Sequence, residues 1–205
     1  LNAEAAILGK HPFVYKCSAK NAVTLRTNKW STIHISDDAI IAPRRFNLEQ
    51  LALRTLRRKL RAVHKSNLIV KMDAPHPWPD LQQIDVEWQN THGTARGGTM
   101  GRFEIGYLSH HFIARAEHDG RLCAFVTFQV GASEWSLDVM RHSAAAPSGT
   151  MHALVHAAIK AAQMSGVPRL SLASTPACPD PNIRFFRWAA RRAVLKAGGT
   201  GLRQF

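Results

Sequence analysis

A chain of 205 residues, 45% of them apolar, can bury a sizeable core as one domain or as a small piece joined to a larger one. Its 27 Lys and Arg outnumber 14 Asp and Glu, and the net charge of +13 points to a polyanionic partner, either nucleic acid or an anionic lipid surface. There is no run of about 18 apolar residues to span a bilayer, no export-signal order at the start, and no disulfide or zinc pattern in Cys17, Cys123 and Cys178, whose wide spacing fits a reducing compartment.

Residues 13–17, 23–26, 31–35 and 39–42 read as short strands, with Asp37-Asp38 as a turn and no helix among them. Such a run completes a sheet begun elsewhere, so residues 1–45 are expected to be the C-terminal remnant of a preceding domain. Asn47 and Gln50 have capping-box spacing ahead of a helix of about 18 residues. On it, Leu53, Leu56, Leu60 and Val63 form one stripe, and Arg54, Arg58, Arg61 and Lys65 form another roughly 160° away. From Arg44 to Lys71, nine Lys or Arg stand against one acid, Glu49. A solvated face normally mixes signs, so this stripe reads as a surface for phosphates; with no interleaved aromatics it suits backbone contact rather than base stacking.

Residues 68–72 read as a strand, 74–79 as irregular because of their prolines, and 80–89 as a helix. That helix has Leu81, Ile84 and Trp88 near one face and Glu87 beside them. Residues 94–103 read as a loop whose Arg102 either enters a cleft or stays exposed. Strands 111–116 and 122–130 flank the hairpin signal Asp119-Gly120, and the second is apolar on both faces, as a central strand should be.

Residues 134–139 alternate, with Glu134, Ser136 and Asp138 on one face and Trp135, Leu137 and Val139 on the other. Arg141 follows at the expected strand end, so it and Asp138 can project into one space beyond the tip. Spacing alone leaves open a structural Asp138–Arg141 ion pair with a solvated Glu134. The turn Pro147-Ser148-Gly149-Thr150 opens a helix that buries Met151, Leu154, Val155, Ala158, Ile159 and Ala162, and whose unpaired N–H groups can face an anion. A strand at 169–173 and a helix from Asp180 to about residue 196 follow. His152 and His156 lie four apart, but no pattern supplies a third ligand, so no metal is expected. His142 reads as a proton carrier or as a loop histidine, and Cys123, Trp88 and Trp135 as core.

This order of elements predicts an α/β fold, a mixed sheet flanked by helices, and it resembles the fold of the GCN5-related N-acetyltransferases. In that fold a glycine-rich turn holds the pyrophosphate of acetyl-CoA, whereas this chain has only Gly149 there. Gly101-Arg102-Phe103, Asp119-Gly120-Arg121, Asp138-Val139-Met140-Arg141-His142, Gly149-Thr150-Met151 and the terminal Gly201-Leu202-Arg203-Gln204-Phe205 together resemble the C-terminal synthase region of phosphatidylglycerol lysyltransferases, the multiple-peptide-resistance family. The trio Ile84, Glu87 and Trp88 also resembles a helix of that family.

The resemblance implies residues 1–45 as the end of a first acyltransferase-like domain, 46–67 as a basic linker helix and 68–205 as a second such domain. It implies transfer of an amino acid, lysine by analogy, from aminoacyl-tRNA to a hydroxyl of phosphatidylglycerol, with no cofactor, at the cytoplasmic face of a bacterial inner membrane. The partners implied are aminoacyl-tRNA, the anionic lipid, and N-terminal and membrane-spanning flippase domains of a longer protein. It places Asp138, Arg141 and Glu87 in the chemistry, and Arg102, Glu134, Ser136, His142, Ser148, Gly149 and Thr150 at the substrates. Arg54, Arg58, Arg61 and Lys65 would meet nucleic-acid or lipid phosphates. Two departures bear on activity. Leu172-Ala173-Ser174-Thr175-Pro176 stands where the family carries a Leu-Gly-Met-Ala-Pro-like segment, and the chain stops at Phe205, short of the family's tail. Transfer to a peptide or peptidoglycan precursor, acetyl-CoA-dependent N-acetylation, and a tRNA- or lipid-binding fragment without turnover are the alternatives.

Overall fold

The computed structural model describes residues 7–9, 12, 14, 17–32, 36–93 and 101–176, which divide into two units, Leu1–Ser36 and Asp37–Phe205. The expected strands at 13–17 and 31–35 fall largely outside the described residues. So do the loop at 94–100, the helix from Asp180, Cys178 and the terminal motif.

In the first unit, residues 23–26 are not a strand but part of helix α1, Ala19–Thr27. The Ser18 hydroxyl accepts from the Asn21 N–H at 3.2 Å, and the Asn28 amide donates to the Thr24 carbonyl at 2.8 Å. Caps at both ends outweigh the strand preference of Val23 and Thr24.

Strand β1, Ser36–Ile41, spans the boundary into the second unit, so Asp37-Asp38 is extended rather than a turn. The capping box at Asn47 is not formed. Its side chain instead accepts from the Glu49 N–H, two residues on, in an Asx turn. The basic helix α2 therefore covers only Arg54–His64, preceded by a single 3-10 turn at Leu51–Leu53. Asn67, at φ 55°, closes its end before β2, Leu68–Lys71. Helix α3, Trp78–His92, is longer than expected at both ends, and a one-turn helix α4, Ile105–Leu108, was not foreseen.

The hairpin is as expected: β3, His111–His118, and β4, Arg121–Val130, joined through Asp119 (φ 49°) and Gly120 (φ 76°). Strand β5, Trp135–His142, helix α5, Thr150–Met164, and strand β6, Leu170–Pro176, complete a six-stranded sheet in the order β1-β6-β5-β4-β3-β2. Strands β2 to β5 are antiparallel neighbours, whereas β6 runs parallel to β5, a pairing that needs the α5 crossover between them.

Helices cover both faces. Ala124, Val126 and Phe128 of β4 meet Leu154, Ala158, Ile159 and Ala162 of α5, while Phe125, between them, meets Leu81 and Ile84 of α3 and Leu108 of α4. Period-two alternation along one strand thus feeds two cores. Helix α2 packs on α5, and the 43–46 turn is pinned there because the Gln163 amide donates to the Pro43 and Phe46 carbonyls.

Ala173 sits in β6 at φ 72°, a left-handed conformation in which its Cβ crowds the backbone. Ala173→Gly is expected to raise stability by about 1 kcal/mol, read as a shift of the denaturant midpoint.

Candidate functional site

Strict alternation along β5 fails at one place. Phe128 pairs with Leu137 but Val126 pairs with Met140, so the single residue Thr127 faces both Asp138 and Val139. This is a bulge on β5. The buried Thr127 hydroxyl accepts from the Val139 N–H at 3.1 Å and satisfies the donor that the interrupted ladder leaves over. Trp135 and Leu137 consequently lie on the α5 face, whereas Val139 joins the α3 core, contrary to the expected shared face of all three. The strand also continues through Arg141 to His142, so Asp138 and Arg141 do not meet beyond a strand tip. The bulge is what lets residues three apart reach the same side of the sheet.

Asp138 is nearly buried there. Its Oδ2 lies 3.5 Å from His111 Nε2, with the two side chains 9% and 5% exposed. The His111 Nδ1–H donates to the Tyr107 carbonyl at 2.9 Å, which fixes the ring so that Nε2 points at the carboxylate. Neither Nε2 nor Oδ2 has a hydrogen-bond partner among the described residues. Burial, seconded by the Asp138 charge, raises the Tyr107 hydroxyl above its usual range against the opposing hydrogen bond from Gln129. Gly101 closes over this group: a Cβ there would lie 2.6 Å from Asp138 Oδ1. Arg102 lies beside it, exposed, ion-paired with Glu104 and with its guanidinium 4.9 Å from the centre of the Tyr107 ring.

Arg141 does not pair with Asp138. Its Nε donates to Asp85 Oδ1 of α3 at 2.5 Å, its Nη1 donates to the Met140 carbonyl, and the guanidinium lies 4.0 Å over the Trp88 ring. Both partners are buried, and the Gln89 amide donates to the other Asp85 oxygen at 2.6 Å. Trp88 therefore serves as a lid on a cation, stacked in turn on His92 at 4.7 Å, and is not purely core. His142, exposed at the end of the strand, meets His92 edge-on, and its Nδ1–H donates to the Ser143 carbonyl.

The remaining predicted residues are placed elsewhere. Glu87 Oε1 accepts from the Ala144 N–H at 3.0 Å, tying α3 to the loop that follows β5. Glu134 accepts from Arg169 at 2.8 Å and from the Ser136 hydroxyl at 3.1 Å, a cluster at the start of β5 four residues from Asp138. The turn at 147–150 lies under α2. A Cβ on Gly149 would meet the Val63 side chain at 2.7 Å and the Lys59 carbonyl at 3.4 Å, Thr150 is buried with its hydroxyl donating to the Pro147 carbonyl, and Ser148 is exposed. Contact with α2 crowds the place where a pyrophosphate would sit. On α2 itself, Arg54, Arg58, Arg61 and Lys65 are all exposed.

Sequence reasoning missed His111, Tyr107 and Asp85. Asp85, one residue after Ile84 on a buried helix face, was the legible one, since a buried carboxylate demands a cation. Cys123 is packing, as expected: its thiol donates to the Ala116 carbonyl, and burial, with Glu117 behind it, pushes it up to about 11.

His152, next to the Lys59 ammonium at 3.0 Å, and His156 are both held below the ordinary 6.5, by burial first and by Lys59 and Lys160 second. The unfolded chain takes up protons that these folded rings refuse, so their stability contribution is complete above about pH 6.5 and lost as pH falls through the lower folded values. Thermal midpoints measured from pH 7.5 to 5 should fall, and less steeply in His152→Asn/His156→Asn.

Three comparisons bear on identity. The chain is 25% identical over 200 residues to the lysylphosphatidylglycerol biosynthesis bifunctional protein LysX of Mycobacterium avium, which takes in 93% of this chain and 16% of that protein. It superposes with a TM-score of 0.63 and 27% identity on the crystal structure of the C-terminal domain of a protein assigned as a lysylphosphatidylglycerol synthetase from Agrobacterium fabrum, covering 69% of this chain and 47% of that one. L-PGS from Bacillus licheniformis shares the fold, with a TM-score of 0.62, 22% identity and coverage of 72% and 49%. The chain thus spans about a sixth of the first relative and about half of each solved structure. Residues 1–192 match the family model described as phosphatidylglycerol lysyltransferase, C-terminal, and the chain belongs to that family.

Proposed function

We propose that this chain carries the transferase chemistry that moves an aminoacyl group, lysyl by family analogy, from charged tRNA to a glycerol hydroxyl of phosphatidylglycerol. The observation that carries the reading is the buried Asp138 carboxylate, turned by the β5 bulge toward His111 and Tyr107. In an aminoacyl ester the carbonyl carbon is already activated. The lipid hydroxyl oxygen bonds to it, the bond to the terminal ribose oxygen breaks, and one proton passes from the first oxygen to the second. Asp138 takes that proton and returns it, while the His111 ring, with Nε2 3.5 Å from Oδ2, packs against the buried side of the carboxylate. Arg102, exposed beside Tyr107, suits a substrate phosphate at the mouth.

Arg141 and Glu87 act in this reading as positioning residues. Arg141 locks β5 to α3 through Asp85, and Glu87 holds the loop at Ala144. Residues 1–45 are read as the end of a preceding acyltransferase-like domain, with residues 37–45 falling within the second unit. No helix among the described residues is long and apolar enough to cross a membrane. The crowded turn at Gly149 disfavours acetyl-CoA as the donor. The test is to incubate the full-length protein with tRNAs charged with different amino acids and phosphatidylglycerol vesicles, then identify the lipid product by mass. An aminoacylated phosphatidylglycerol is expected, and an acylated peptide or amine in its place would overturn the acceptor assignment.

A further inference from the structure

Gln129 of β4 lies between His111 of β3 and Ser136 of β5. Alternation along β4 puts it on the face of Phe125 and Thr127, which is the face of Asp138. Its exposed amide donates to the Tyr107 hydroxyl at 2.7 Å. A phenol oxygen that accepts one hydrogen bond still has its own O–H to give. The Asp138 carboxylate is near enough to act on that hydroxyl through both its charge and a hydrogen bond. Donors and acceptors therefore follow in one direction, from the Gln129 amide through Tyr107 to Asp138. The ring that carries the hydroxyl is held firmly: it meets His111 edge-on at 4.5 Å, and the Arg102 guanidinium lies 4.9 Å from its centre.

Acyl transfer between two alcohols needs a proton removed at one oxygen and supplied at another, because an alkoxide leaves poorly. In its neutral form the His111 ring spends its one N–H on the Tyr107 carbonyl, which leaves the phenol as the proton donor beside the carboxylate among the described residues. We infer that Tyr107 is the acid of the transfer and that Asp138 reloads it, an inference that rests on Asp138 as the proton acceptor. The bond from the lipid oxygen to the carbonyl carbon forms and the bond from that carbon to the ribose oxygen breaks. One proton goes from the lipid hydroxyl to Asp138, one from Tyr107 to the ribose oxygen, and one from Asp138 to the Tyr107 phenolate, so both side chains end as they began. Burial first, and Asp138 with it, keep the phenol protonated above its usual range; the Gln129 hydrogen bond and the Arg102 charge act the other way. The acid is thus loaded at neutral pH, and the phenolate formed when it discharges meets a donor and a cation. Gln129 touches no reacting atom and is a positioning residue that acts through Tyr107.

The experiment compares two donors with the full-length protein and phosphatidylglycerol vesicles: lysyl-tRNA with its natural ester, and lysyl-tRNA in which sulfur replaces the oxygen that carries the lysyl group. A thiolate leaves without being protonated, so the second donor needs no acid. Tyr107→Phe keeps the ring and its contacts. With its thermal midpoint checked, it is expected to slow transfer from the oxygen ester by about 10²-fold or more, and from the thioester by roughly ten-fold less than that. Gln129→Leu, at an exposed position, is expected to show the same dependence on the donor with a smaller loss, and it carries the test if Tyr107→Phe is unstable. Asp138→Asn is expected to slow both donors, since the lipid hydroxyl must lose its proton in either case. Wild-type transfer from the oxygen ester by Tyr107→Phe, or equal slowing with both donors, would overturn the inference and leave Asp138 as the acceptor. A wild-type rate for Asp138→Asn with both donors would remove the acceptor and the relay together.

Discussion

Asp138→Asn is expected to lower the rate of aminoacyl transfer by about 10²–10⁴-fold, the usual contribution of a positioned proton acceptor, with little change in thermal midpoint. The amide keeps the size and most of the polar contacts of the carboxylate but cannot take up a proton. It also removes the charge that faces His111 Nε2 across 3.5 Å in a nearly dry site. His111→Gln should reduce the rate less than Asp138→Asn, because a residue acting through the carboxylate is displaced while the acceptor itself remains. The rates are measured in the full-length protein with charged tRNA and phosphatidylglycerol. A wild-type rate for Asp138→Asn would remove Asp138 from the chemistry.

The second large effect is on folding. Arg141 and Asp85 are 9% and 5% exposed in their side chains and joined at 2.5 Å. Deleting one member leaves the other charge buried and unmatched, so Asp85→Ala is expected to cost about 3–5 kcal/mol. In a protein of this size that corresponds to a fall of roughly 10 °C in thermal midpoint. The double variant Asp85→Leu/Arg141→Met should recover most of the loss, since two apolar side chains of similar volume need no charge partner. The recovery separates a structural ion pair from a substrate-binding arginine. If the double variant folds well and still transfers, the Arg141–Asp85 pair serves the fold alone; if it folds well and is inactive, the Arg141 guanidinium serves the reaction beyond its part in stability.

Much of the architecture could be read from patterns that act locally. The hairpin at Asp119-Gly120 needs only two residues that tolerate positive φ, and the crossover helix α5 needs only its apolar stripe. The expectation of a mixed sheet flanked by helices was met for the same reason. What failed depended on contacts between distant residues or on competition among local ones. Nothing in residues 134–142 announces a bulge, because the hydroxyl that makes it tolerable belongs to Thr127 on the neighbouring strand. A one-residue change of register then moved Val139 to the other face and placed Arg141 opposite α3. At Asn47 and at Ser18 the side chain chose between two backbone partners, an Asx turn in one case and a helix cap in the other, and spacing did not decide which. The candidate site was legible in Asp138 and Arg102, whose neighbours Tyr107 and His111 come from a short helix and a strand start without a motif of their own. The basic stripe was legible as an exposed face.

The central claim is that the aminoacyl end of the donor is received at the group made by Gly101, Tyr107, His111 and Asp138. The most direct measurement titrates the chain with an adenosine whose 3′ position carries lysine in a stable amide, following backbone and side-chain resonances by NMR. The account predicts that the largest shifts fall on Gly101, Tyr107, His111 and Asp138, and that Asp138→Asn weakens binding or changes those shifts. Shifts centred on Gly149 and Thr150 at the start of α5, with the Asp138 group unmoved, would contradict it.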